Sequence, residues 1–190
     1  MPTPASQLPA VLAHNQRFVR EHLYEPFLTD RFPDKKLAIV TCMDTRLVEL
    51  LPRAMGVRNG DVKIVKTAGA VVSHPFGSIM RSLLVAVYEL GAREIMIVGH
   101  YDCGMAALSA ESLLAKARQR GIAARTFDTL HAAGIDLEQW LAGVPDLSAA
   151  VRASVQRVRT HPLLPADVLV HGLMIDPATG HLDVLDAGEL

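Results

Sequence analysis

Cysteine is scarce in this chain: two residues in 190. Two cysteines can form at most one disulfide. An excess of charge is missing too. Nineteen basic and twenty acidic residues leave a net charge of −1. That balance provides neither a basic field for nucleic acid nor an acidic tail. There is no run of about 18 apolar residues, so no membrane span is expected. The opening stretch, MPTPASQLPA, lacks both a positive n-region and an apolar h-region. No secretory signal is therefore expected, and a cytoplasmic location is. In such a chain, cysteine has a metal-binding or catalytic role more often than a disulfide. Internal repeats, low-complexity segments and glycine-rich phosphate loops are also lacking. GVRNGD, residues 56–61, has two glycines but precedes a strand, so it fails the dinucleotide fingerprint.

What is present begins with apolar residues, half of the total. That is enough for a real core, and 190 residues suit one domain, here read as 1–190 with 1–34 as an N-terminal helical arm. Residues 5–24 carry an amphipathic helical stripe of Leu8, Val11, Leu12, Val19 and Leu23, with Pro26 marking its end. KKLAIVTC (35–42) is a continuous apolar run of the kind that forms a strand buried on both faces. A short helix, bent or broken near Pro52, is expected over 47–55, and a second strand over 61–69. Phe76, Ile79, Met80, Leu83, Leu84 and Val87 keep helical spacing, with Pro75 suited to the first turn. EIMIVGH (94–100) is a third strand. Met105 to Arg120 reads as one helix, 121–147 as weaker helices and loops, and 148–160 as a helix. Strands over 167–176 and 181–186, joined by the turn PATG, form a hairpin. Met43, Met96, Met105 and Met174 are expected in the core. Strands alternating with helices argue an α/β fold. The expected architecture is a mostly parallel central sheet, order 2-1-3-4 with an antiparallel edge strand, flanked by helices.

The two cysteines lie in TCMDTR (41–46) and GHYDCG (99–104). Cys42 ends the first strand and His100 ends the third. In a doubly wound sheet of order 2-1-3 those strands are neighbours, and the crevice opens at their carboxyl ends. Cys103, one turn after His100, can reach the same point. Two cysteines and one histidine are a sound ligand set for Zn²⁺, and three protein ligands leave a fourth tetrahedral position open. Asp44, two residues after Cys42, is close enough to touch the metal or its water. Arg46 can hold that carboxylate through a bidentate pair. Bland readings stand beside this one. The cysteines can be buried thiols or a Cys42–Cys103 disulfide, and Asp44 with Arg46 can be a structural ion pair.

CMDTR followed by GHYDCG resembles the signature pair of the β-class carbonic anhydrases, Cys-x-Asp-x-Arg and His-x-x-Cys. The chain is similar in particular to the compact branch of that class, from about Lys35 to Asp183, including KTAGA, YELGAREIMIVGHYDCGM and VHGLMID. The resemblance implies one zinc per chain on Cys42, His100 and Cys103, with Asp44 and Arg46 as a catalytic dyad beside it. It implies reversible hydration of CO₂ to bicarbonate and a proton. It also implies a homodimer or a higher multiple, with an N-terminal helix embracing the partner. One departure stands out: the family commonly has Asn-Ala-Gly-Asn after strand two, where this chain has Thr67-Ala68-Gly69-Ala70. Hydrolysis of a sulfur analogue, COS or CS₂, on the same zinc is the enzymatic alternative. A zinc-binding regulatory protein with a structural, closed site is the non-enzymatic one.

Overall fold

The computed structural model describes residues 6–188. The chain divides into two compact units, one ending at Arg31 and the other beginning at Phe32. The start of the expected 5–24 helix lies outside the described residues.

In the first unit, helix α1 spans Leu8–Arg20. It stops well before Pro26, because His22 takes a left-handed φ of 57°. The His22 and Leu23 amides then bond back to the Val19 and Phe18 carbonyls, the Schellman pattern that closes a helix end. Pro26 lies in a 3₁₀ turn, Glu25–Phe27, and the Phe27 ring packs against that of Phe18 at 6.3 Å.

The second unit is built on five strands: β1 (Leu37–Cys42), β2 (Val62–Thr67), β3 (Glu94–His100), β4 (Leu169–Ile175) and β5 (Leu182–Asp186). Their order is β2-β1-β3-β4-β5. The first three pairings are parallel, and β4–β5 is antiparallel. This is the expected α/β architecture. Every residue of β1 is buried, because helices cover both faces of the sheet. On one face Ala38, Val40, Ile95 and Ile97 meet Met80 and Leu83 of α3 (Ser78–Tyr88) and Val151, Val155 and Val158 of α7 (Leu147–Arg159). On the other, Leu37, Ile39, Val98 and Ile175 meet Leu47 and Leu51 of α2 (Leu47–Ala54).

Several local expectations shift. Helix α2 runs through Pro52. Helix α3 starts at Ser78, so Pro75 falls in the preceding turn, where the Phe76 amide bonds to His74 Nδ1 at 3.0 Å. The single helix expected from Met105 is two pieces, a 3₁₀ turn over Gly104–Ala107 and α4 over Ala110–Gln119. Ser109 divides them: its Oγ caps α4 by accepting from the Ser112 amide, as serine prefers. Helices α5 (Ala124–Ala132) and α6 (Leu137–Trp140) follow. Met43 is exposed, whereas Met174 is buried. Among the described residues no helix is long and apolar enough to cross a membrane.

Gly99 lets α7 approach the sheet beside His100. A Cβ there would lie 2.8 Å from Val151 Cγ2 and 2.7 Å from Met174 Sδ. Overpacking of this kind costs about 1–3 kcal/mol. Gly99→Ala is therefore expected to lower the urea midpoint of unfolding at constant slope. An unchanged midpoint would show that α7 yields freely.

Candidate metal centre

β1 and β3 lie side by side, from Leu37 opposite Glu94 to Thr41 opposite Val98. Their carboxyl ends therefore deliver Cys42 and His100 to one place, and the turn after β3 brings in Cys103. A sulfur of each cysteine and a ring nitrogen of His100 all lie within 4.8 Å of one another. All three side chains are buried. The Cys42 and Cys103 sulfurs are 3.9 Å apart and both cysteines are free. A disulfide would bring them to about 2.05 Å. Two sulfurs each about 2.3 Å from a tetrahedral ion stand about 3.8 Å apart, so the spacing suits a shared metal.

The histidine supports the same reading. Its Nδ1 lies 2.8 Å from the Tyr101 carbonyl. A carbonyl can only accept, so Nδ1 carries the proton and Nε2 holds the lone pair. That Nε2 is buried and has no hydrogen-bond partner. A buried polar atom left unmatched is costly, and a metal would satisfy it. Burial pushes the Cys103 thiol above its usual value, with the neighbouring Cys42 adding to the effect. A cation would reverse that balance.

The Thr67–Ala70 stretch supplies backbone, not side chains. Gly69 takes a φ of +76°, and its amide donates to Cys42 Sγ at 3.4 Å. The Gly69 amide is thus directed at a sulfur of the candidate cluster. Such bonds orient a metal ligand. This role was not legible from residue type, since it depends on the direction of one N–H.

Asp44 and Arg46 form a tight unit. Asp44 Oδ1 accepts from the Arg46 amide at 2.8 Å and from Nε at 3.0 Å, and Oδ2 accepts from Nη2 at 2.9 Å. The Arg46 side chain is the main cause that lowers the Asp44 pKa to about 2, and the Arg46 amide adds to it. Arg46 is raised in turn, chiefly by Asp44 and then by Asp102. Asp44 Oδ2 is 3.8 Å from His100 Nε2, beyond hydrogen-bond reach, so the carboxylate stands beside the cluster without joining it. Asp102 shapes the site in a way that its residue type alone does not show. Arg46 also donates from Nη1 to Asp102 Oδ2 at 3.0 Å and from Nη2 to the Asp102 carbonyl at 2.9 Å.

Residues 37–182 match the family model for carbonic anhydrase. The chain belongs to the β-carbonic anhydrase family. It is 59% identical over 181 residues to "Putative carbonic anhydrase YvdA" of Bacillus subtilis, covering 95% of this chain and 92% of that protein. The crystal structure of β-carbonic anhydrase isoform I from Trichomonas vaginalis superposes with a TM-score of 0.86 at 37% identity, over 97% of this chain and 100% of that one. A carbon disulfide hydrolase of Acidithiobacillus thiooxidans is 27% identical over 161 residues, covering 78% of this chain and 76% of that protein. As a β-carbonic anhydrase the chain is an enzyme, and its Cys42–His100–Cys103 cluster is able to hold a metal ion.

Proposed function

We propose that this β-carbonic anhydrase holds one Zn²⁺ per chain on Cys42, His100 and Cys103 and reversibly hydrates CO₂ to bicarbonate and a proton. The observation that carries the reading is the buried His100, its Nε2 without a hydrogen-bond partner, clustered with two free thiols. Three soft or borderline donors in this arrangement suit Zn²⁺ and leave its fourth position open. The ion supplies Lewis acidity, which makes water nucleophilic near neutral pH.

The chain's own residues do the rest. Arg46 holds Asp44 beside the cluster, so this carboxylate would leave the fourth position of a bound ion free, the position that a structural zinc site closes with a protein ligand. Of the two carboxylate oxygens, Oδ1 accepts two N–H groups from Arg46 while Oδ2 accepts one. Oδ2 therefore keeps a lone pair for a water proton and can orient that water. A carboxylate held at about pKa 2 is a poor store for a proton near neutrality. The proton therefore passes on to buffer. Side-by-side assays of the purified protein with CO₂, COS and CS₂ test the proposal. Turnover of CO₂ alone supports it, and turnover of only CS₂ or COS would replace it. The sulfur reading draws on the carbon disulfide hydrolase relative and on the missing asparagine side chains at Thr67 and Ala70.

We infer also that the chain works as one β-carbonic-anhydrase domain, 1–190, whose arm, 1–34, packs on a second copy in a homodimer or a multiple of it. Leu8, Val11, Leu12 and Val19 support this, since all are exposed along α1. Removing residues 1–24 is expected to shift the mass measured by light scattering towards monomer. An unchanged mass would count against the arm. Two free thiols suit a reducing compartment, so the cytoplasm is the proposed location.

A further inference from the structure

We propose that Asp102 is a positioning residue, a latch that fixes the Arg46 guanidinium and through it the Asp44 carboxylate. The inference rests on the proposed role of Asp44. Arginine has five N–H donors. Nε and one N–H of Nη2 go to Asp44, while the other N–H of Nη2 and one of Nη1 go to Asp102. Asp44 and Arg46 share one loop after β1, so their mutual pair cannot by itself stop both from swinging together. Asp102 sits 56 positions away from Arg46, in the loop after β3 between His100 and Cys103. It ties the pair to the opposite wall of the centre.

The residue type matters at this position. Asp102 has a φ of +53°, a left-handed conformation that, glycine aside, aspartate and asparagine tolerate best. In that conformation its carbonyl and its side-chain oxygen both accept from Arg46. Glycine would keep the carbonyl contact and lose the side-chain one, and asparagine can keep both. The Asp102 side chain is 88% exposed, and exposed pairs add little to stability. Its effect is therefore on the orientation of Arg46, not on folding.

The test uses zinc-loaded full-length Asp102→Gly and Asp102→Asn proteins. The first readout is nitrogen NMR of the Arg46 guanidinium. Rotation about the Nε–Cζ bond should exchange the two Nη signals at the same rate in the parent and in Asp102→Asn, and faster in Asp102→Gly, which loses only the Nη1 bond. The second readout is CO₂ hydration at equal zinc content. Loss of one hydrogen bond worth about 1 kcal/mol predicts a kcat about three- to tenfold lower in Asp102→Gly. Asp102→Asn should restore most of it, and thermal midpoints should match throughout. Nη exchange in Asp102→Gly as slow as in the parent would overturn the latch. So would faster exchange with unchanged kcat, or an Asp102→Asn protein with turnover as slow as Asp102→Gly. The NMR readout does not depend on turnover, so failure of the latch is distinct from failure of the proposed role of Asp44, which a fully active Asp44→Ala protein would show.

Discussion

His100→Gln is expected to lose bound zinc and CO₂ hydration together while the chain stays folded. The imidazole ring is fully buried, its Nε2 has no hydrogen-bond partner, and it clusters with two thiols. Glutamine roughly fills the volume, so the change tests ligation instead of packing. Without the ion, water keeps its pKa of about 15.7 instead of approaching about 7, and hydration should fall to the uncatalysed background. Cys42→Ser and Cys103→Ser should behave alike, because the hydroxyl of serine is a far weaker zinc ligand than a thiolate. Elemental analysis, circular dichroism and stopped-flow hydration assays are the measurements. A variant with a full zinc complement and the parent rate would remove His100 from the ligand set. Acid should strip the parent protein in the same way, since protons compete with the metal for all three ligands.

Asp44→Ala is expected to keep its zinc and lose CO₂ hydration by about 10²-fold, the lower end of what a proton-accepting side chain contributes. The lower end applies because Arg46 holds the carboxylate at about pKa 2, so it orients water better than it captures a proton. The sign of the shift has a second consequence. A lowered pKa means that Asp44 is ionised everywhere above about 2. Any rise of activity with pH between 6 and 9 must then come from another group, and the Asp44→Ala protein should show the same midpoint at a reduced height. Arg46→Ala should also lose activity, because the carboxylate it releases is free to occupy the fourth position on the metal. Full hydration activity in Asp44→Ala with zinc retained would refute its role.

The helical stripe of α1 and the alternation of apolar strands and helices from β1 to β3 follow from side-chain spacing alone, and the structure bears both out. So does the neighbourhood of Cys42 and His100. Cysteine is rare in this composition, and the rule that parallel strands open a crevice at their carboxyl ends places the two residues together. Where the sequence reading departs from the structure, a competing local interaction wins. Periodicity alone continues a helix from Met105 to Arg120, but the Ser109 hydroxyl caps a new start within it. Proline suits a first turn at residue 75, but the His74 ring accepts the next amide and delays α3 to Ser78. The residue types thus determined the fold class and the three candidate ligands, because burial and donor chemistry are carried by side chains that can be read one at a time. Only the tertiary structure decided that the Gly69 amide meets Cys42 Sγ, that Asp44 stands 3.8 Å from His100 Nε2, and that Asp102 grips Arg46. Each depends on the direction of a backbone turn or on contact between distant loops, and packing of the whole sheet sets those directions.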